Sequence, residues 1–74
     1  MATVDSTSCV AQVGVTAGAV WAVLDKKGPL SMAKLVKAVN EPRDTVMLGL
    51  GWLAREGKVC IEENGRTRVV SLCQ

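Results

Sequence analysis

Apolar residues recur at three- and four-residue steps through the first third of the chain, which is the spacing of one face of an α-helix. The residues on this face are Val10, Val13, Ala17, Val20 or Trp21, and Leu24. They predict a first helix over residues 9–27. The helix is expected to end at Gly28, which can adopt the left-handed backbone conformation, and Pro29 cannot continue it. Residues 1–8 offer little to bury, so we expect a flexible N-terminal tail at 1–8 and one domain over 9–74.

Two further helices are indicated by their end signals. Ser31 is a suitable N-cap for a second helix over 31–39, and Asn40 can adopt the left-handed conformation that ends it. Pro42 then suits the opening of a third helix over 42–56, because a proline lacks the N–H group that would be unpaired there. The short connection between these two helices is typical of a helix-turn-helix.

Over residues 58–72 the spacing of apolar residues changes from the helical period to an alternation of apolar and polar residues. Asn64-Gly65 lies at the centre of this segment and is a strong signal for a two-residue type I′ hairpin turn. That turn places Glu63 opposite Arg66, and it sets the other expected pairs as Glu62 with Thr67, Ile61 with Arg68, Cys60 with Val69, and Val59 with Val70. Alternation then predicts an inner face formed by Val59, Ile61, Val70 and Leu72, with Cys60 and Val69 outside.

Three helices followed by a β-hairpin wing predict an α+β fold, the winged helix-turn-helix, with a short extended piece at Leu30. A three-helix bundle with a disordered tail is the alternative, but it leaves the alternation around Asn64-Gly65 unexplained. The predicted core consists of Val20, Leu24, Leu35, Val39, Val46, Leu50, Leu53, Val59, Ile61 and Val70.

Composition narrows the functional classes. The 74 residues are 49% hydrophobic, which fits one compact domain, and histidine is absent. Chemistry based on an imidazole base or ligand is therefore excluded, and no nucleotide-binding or nucleophile motif is present. We expect no enzymatic activity and no cofactor.

The cysteines and the diluted hydrophobicity of segment 6–24 suggest a reduced, soluble, cytoplasmic protein. Cys9, Cys60 and Cys73 form an odd set without a C-x-x-C pair, so the sequence indicates neither a disulfide nor a metal site. Segment 6–24 carries no charge, but its glycines and hydroxyl residues dilute its hydrophobicity, so we expect no membrane insertion.

Candidate phosphate contacts are the basic residues on the second helix, at the start of the third and on the wing: Lys34, Lys37, Arg43, Lys58, Arg66 and Arg68. For any one of them, ordinary solvated surface charge is the stronger interpretation. The net charge of +2 is a mild bias and does not favour nucleic acid by itself.

The outward face of the third helix is unusual for a DNA-reading helix. Asp44, Met47, Leu48, Gly51 and Arg55 point away from the predicted core, and Trp52 lies to one side. Base edges are usually read by Arg, Lys, Asn or Gln, so this face predicts poor base recognition. Its apolar character instead resembles a partner surface.

A stripe of small residues runs along the first helix, with Gly14 and Gly18 in a G-x-x-x-G pattern between Ala11 and Ala22. Such a stripe permits the close approach of another backbone. That neighbour is either an element of the same chain, which we favour slightly, or a second copy of the first helix.

The runs Ala17-Gly18-Ala19-Val20-Trp21 and Gly51-Trp52-Leu53-Ala54-Arg55 resemble a family of small stand-alone winged helix-turn-helix proteins of bacteria and archaea, known as a domain of unknown function. The similarity covers residues 13–72. It implies the fold and transfers no catalytic or ligand residues. Wings in that family are acidic, whereas here one strand of the wing is acidic and the other basic.

Two hypotheses for function follow. The first is a regulator-like DNA-binding protein, acting in transcription regulation, that binds duplex DNA with low sequence specificity. The second is a protein-interaction or homodimerisation module that uses Gly14, Gly18, Met47, Leu48 and Trp52.

Overall fold

The computed structural model describes the backbone of residues 5–73 and the side chains of residues 9–73. The elements follow one another as α1 (Asp5–Lys27), β1 (Leu30–Ser31), α2 (Met32–Val39), α3 (Arg43–Arg55), β2 (Val59–Asn64) and β3 (Thr67–Leu72). The three strands form one antiparallel sheet in the order β1-β3-β2. The predicted order of three helices and a hairpin is confirmed, with the short strand at Leu30 pairing on β3.

The helix ends follow from their capping residues. The Ser31 hydroxyl accepts a hydrogen bond from the Lys34 amide at 3.3 Å, and Asn40 adopts a left-handed φ of 61°. Gly28 ends α1 with a φ of 79°. The predicted start of α1 at residue 9 was wrong, because the helix begins at Asp5. The first part of the predicted tail, residues 1–4, lies outside the described residues.

The buried core lies where α1, α2 and α3 meet the inner face of the sheet, and it consists of Ala17, Val20, Leu24, Leu35, Val46, Leu50, Leu53, Val59 and Val70. Val39 is only half-buried. The prediction that Ile61 is buried was wrong, since it is 41% exposed. In β2, an edge strand, only Val59 is buried. The packing of α1 starts at Val13, so Val10, one turn earlier, is also exposed.

The hairpin turn lies one residue further along the chain than predicted. Asn64 pairs with Thr67, so the two turn residues are Gly65 and Arg66. Gly65 has a φ of 67°, and Arg66 is not among the residues with positive φ. A type II′ turn requires a glycine at the first central position only, whereas the predicted type I′ turn requires positive φ at both. Moving the turn by one residue shifts each strand pairing by two residues. Because side chains alternate between the two faces of a sheet, each residue keeps the face that was predicted for it.

This register brings two cysteines together. Cys60 pairs with Ser71, and Cys73 lies two residues further along, within reach of the same outer face. The two form a disulfide with a Cα–Cα distance of 5.4 Å. The prediction of reduced thiols without a disulfide was therefore wrong. In the predicted register Cys73 would lie four residues beyond the partner of Cys60, about 13 Å away at the rise of a strand.

The closest helix packing lies between α1 and α3, at Gly49. A Cβ atom added to Gly49 would lie 2.9 Å from the Ala17 backbone nitrogen and 3.2 Å from the Thr16 carbonyl carbon. Both are backbone atoms, which cannot move aside as a side chain can. The glycine that permits close helix approach is therefore on α3, whereas the predicted stripe on α1 makes no such contact.

Candidate nucleic-acid interface

Three arginines from two distant segments surround one cleft between the wing and the start of α3. Arg43 is the first residue of α3, Arg66 lies in the hairpin turn, and Arg68 lies on β3. We call this region the arginine cleft; its volume is about 290 Å³, and its other lining residues are Met32, Glu63, Gly65 and Thr67. An adjoining hollow of about 330 Å³ has the same three arginines in its wall and reaches Ser31 and Ala33 at the start of α2. The arginine cleft thus combines three positive charges with one negative charge.

Glu63 supplies that negative charge and contacts one of the arginines. Its Oε2 accepts a hydrogen bond from the Arg68 Nε at 3.3 Å, and the two residues are cross-strand partners. Both side chains are more than half exposed, and exposed pairs of this kind contribute at most about 1 kcal/mol. A phosphate group can therefore compete with Glu63 for Arg68. Among the described residues, neither the Arg43 nor the Arg66 side chain forms a salt bridge or a hydrogen bond.

The two predicted lysines of α2 lie on a different part of the surface. Lys34 and Lys37 line a shallow hollow of about 280 Å³ together with Lys27, Leu30 and Ala38. We call this region the lysine patch. Lys27 was not among the predicted phosphate contacts. Lys27 joins the other lysines through the turn at Gly28 and Pro29, which no local pattern reveals.

The remaining predicted cation, Lys58, lies apart from both groups. It lines a groove of about 320 Å³ between α1 and α3, together with Gly14, Ala17, Gly18, Trp21, Trp52 and Leu53. We call this region the tryptophan groove, because both tryptophans of the chain line it. No heavy atom of the described residues lies within 4 Å of a Cβ built at Gly14 or Gly18, apart from near neighbours within α1. Of the internal neighbours expected on this stripe, neither α2 nor α3 lies against Gly14 or Gly18, and the first residues of the third, the N-terminal tail, lie outside the described residues.

The outer face of α3 divides between this groove and a separate depression. Met47 and Leu48 line the depression together with Arg43 and Asp44. Leu48 is 60% exposed, as expected, but Met47 is half-buried and packs against the core. Met47 was therefore wrongly assigned to the outward face. Of the five residues predicted as a partner surface, Gly14, Gly18 and Trp52 line the tryptophan groove, whereas Met47 and Leu48 line this depression.

The described residues contain neither a candidate metal site nor a candidate membrane span. No group of three or more carboxylate, thiol or imidazole side chains lies together in a way that would hold a metal ion. None of the helices in this part of the chain combines the length and hydrophobicity needed to cross a bilayer.

A comparison with known protein families gives a match over residues 9–72 to a family described as a winged helix-turn-helix domain, DUF2582. The chain belongs to this family. The match covers all three helices from residue 9 onwards and the whole wing, and its described fold agrees with the helices and sheet of the structure. Winged helix-turn-helix folds are in general DNA-binding and typically not enzymatic. No curated protein is similar enough to this chain to be matched with it.

Proposed function

We propose that this protein is a regulator-like DNA-binding protein that holds the sugar–phosphate backbone of duplex DNA in its arginine cleft, with low sequence specificity. The observation that carries the proposal is the convergence of Arg43, Arg66 and Arg68 from the start of α3 and from the wing. Arginine donates paired N–H groups that match phosphate oxygens. The wing and the α2–α3 turn are also segments that meet the DNA backbone in winged helix-turn-helix complexes.

Low specificity follows from the outer face of α3. Leu48 and Trp52 are exposed there, and neither side chain offers the paired hydrogen bonds that distinguish base edges. Asp44 in the first turn of the helix would repel phosphates. Binding that depends on phosphate contacts alone has a Kd of about 10⁻⁴ to 10⁻⁶ M at physiological salt.

The lysine patch and Lys58 are expected to contribute less to DNA binding than the arginine cleft. Lys34 and Lys37 lie on α2 beyond the arginine cleft, where they can extend the positive surface along a duplex. Lys58 lies in the tryptophan groove, apart from the wing arginines. We therefore expect a moderate contribution from the two α2 lysines and a small one from Lys58.

An NMR titration with two duplexes of unrelated sequence tests the proposal. The account predicts amide shift changes at Arg43 and over residues 65–68 that are alike for both duplexes and disappear as salt is raised. Shift changes centred on Leu48 and Trp52 that differ between the duplexes would contradict it, because they would mean that α3 reads bases.

Self-association through the tryptophan groove is a second candidate function. The outward side of α1 is uncharged over residues 6–24, Gly14 and Gly18 are open to solvent, and Trp21 and Trp52 are 41% and 52% exposed beside them. Two mid-helix glycines each cost about 0.5–1 kcal/mol relative to alanine, and no close packing among the described residues offsets this cost. A second copy of α1 on this groove would offset it.

Sedimentation of the Gly18→Leu variant tests this candidate. A Cβ at position 18 meets open space in the single chain, and the rest of a leucine side chain would block the approach of a second helix. We expect the variant to be monomeric under conditions where the parent protein dimerises. Ala54→Leu is the control, because Ala54 is exposed and lines none of the clefts described above. A monomeric parent protein, or a variant that still dimerises, would refute this candidate.

A further inference from the structure

We propose that the thiol–disulfide state of Cys60 and Cys73 controls the order of the wing, and through it the affinity for DNA. The control of wing order stands on its own, whereas the effect on DNA rests on the function proposed above.

The strand β2 packs little of its surface against the core. It lies at the edge of the sheet, paired only with β3, and Val59 is its only buried residue. Ile61 points to the inner side but is largely uncovered, and the residues from Glu62 onwards are exposed. By contrast, β3 pairs on both sides and carries the fully buried Val70. Within the hairpin, β2 is therefore the strand that opens more readily.

The disulfide adds a covalent tie to this strand. It joins Cys60, next to the single buried residue of β2, to Cys73, just beyond the end of β3. Beside it, the Cys73 amide donates a hydrogen bond to the Lys58 carbonyl at 3.0 Å. The loop that the disulfide closes contains the whole turn and both wing arginines, Arg66 and Arg68. Breaking this bond therefore loosens the segment that supplies two of the three arginines of the cleft.

The bond is open to reductants. Cys60 is exposed, and a disulfide that a thiolate can reach is the kind that reacts in exchange. A thiolate of a small dithiol attacks one sulfur, releases the other cysteine as a thiolate and forms a mixed disulfide. The second thiol of the reagent then attacks the reagent's own sulfur in the mixed disulfide and releases the remaining cysteine. The S–S bond breaks, Cys60 and Cys73 each gain a proton and one of the two electrons, and the dithiol is oxidised to its own disulfide. Cys9 is free and plays no part in this step.

Counting thiols and measuring stability test the first half of the proposal. Protein purified without reductant should show one reactive thiol when denatured, from Cys9, and three after treatment with dithiothreitol. Reduction should lower the Tm by about 10–20 °C, as expected for a disulfide that closes a loop of this length in a small domain. The Cys9→Ser variant should keep this response, and the Cys60→Ser/Cys73→Ser variant should lose it. Three thiols before reduction, or an unchanged Tm, would overturn the proposal.

Hydrogen exchange and DNA titration test the second half. On reduction, amides of residues 60–64 should lose protection at least tenfold more than those of Val20 and Leu24, and duplex affinity should fall at least threefold. A uniform loss of protection, or an unchanged affinity, would overturn the link from the disulfide to the wing. If the oxidised protein does not bind DNA at all, the proposed function fails, while the exchange data still decide whether the disulfide orders the wing.

Discussion

The two faces of α3 are made from similar residue types but have different environments. On the inner face, Gly49 and Leu50 are buried against α1 and the core, with Leu50 only 3% exposed. On the outer face, Leu48 and Gly51 are exposed, and no atom of the described residues lies within 4 Å of a Cβ built at Gly51. Leucine and glycine thus occur on both sides of the helix, with Leu50, Leu53 and Gly49 inside and Leu48 and Gly51 outside. The difference shows that packing, and not residue type, determines what each residue contributes.

The proposed DNA site lies on the wing and at the start of α3, and not on the outer face of α3, because of what that face exposes. In a DNA-reading helix the outer face supplies hydrogen-bonding side chains, whereas here it supplies Leu48, Gly51 and Trp52. The groups suited to phosphate lie at the start of α3 and on the wing. The inner face of α3 then serves to hold Arg43 at a fixed place relative to the wing.

The largest expected effect is at Leu50. Replacing it with alanine removes a side chain from the centre of the core and should lower the free energy of unfolding by about 2–5 kcal/mol. Leu48→Ala is the matched control, and its effect should stay within about 0.5 kcal/mol because its side chain is mostly in solvent. Urea denaturation of both variants measures the difference. Similar losses for the two would mean that the inner and outer faces are misassigned.

A smaller effect of the same kind is expected for the two glycines. Gly49→Ala should lower the free energy of unfolding by about 1–3 kcal/mol, because its Cβ would meet backbone atoms of Thr16 and Ala17. Gly51→Ala should instead raise stability by about 0.5–1 kcal/mol, since alanine favours the helix and meets open space. Thermal melts of both variants provide the test. A stabilising Gly49→Ala would contradict the close packing of α1 on α3.

The elements of the fold were predictable because their signals are local. Helical spacing placed Val46, Leu50 and Leu53 in the core, and the caps at Ser31 and Asn40 fixed the ends of α2. The hairpin register was not predictable, because Asn64, Gly65 and Arg66 allow two turn positions one residue apart. The disulfide was missed for the same reason, since only the observed register brings its cysteines into reach.

The candidate site was predictable only as a set of residues. All three arginines of the cleft were singled out from the sequence, but so were Lys34, Lys37 and Lys58, which lie elsewhere. Which charges converge depends on how the wing folds back towards the start of α3. No local pattern contains that information.

A near-zero effect is expected for the outer face of α3 in DNA binding. Leu48→Ala removes most of the side chain and adds no hydrogen-bonding group, so duplex affinity should change by less than about twofold. Fluorescence anisotropy with two unrelated duplexes measures this. A larger loss for one duplex than for the other would indicate base contacts by α3 and would weaken the contrast between its surface and the wing.

The salt dependence of duplex binding tests the central claim most directly. Each lost phosphate contact lowers the slope of log affinity against log salt by about one unit, so Arg66→Gln/Arg68→Gln should lower it by about two. Its control is Lys26→Gln/Arg55→Gln, which removes the same charge from two exposed residues outside the arginine cleft. The account predicts a reduced slope and equally weakened binding to unrelated duplexes for the wing variant, with the control close to the parent protein. Equal slopes for the two double variants would contradict binding of DNA in the arginine cleft.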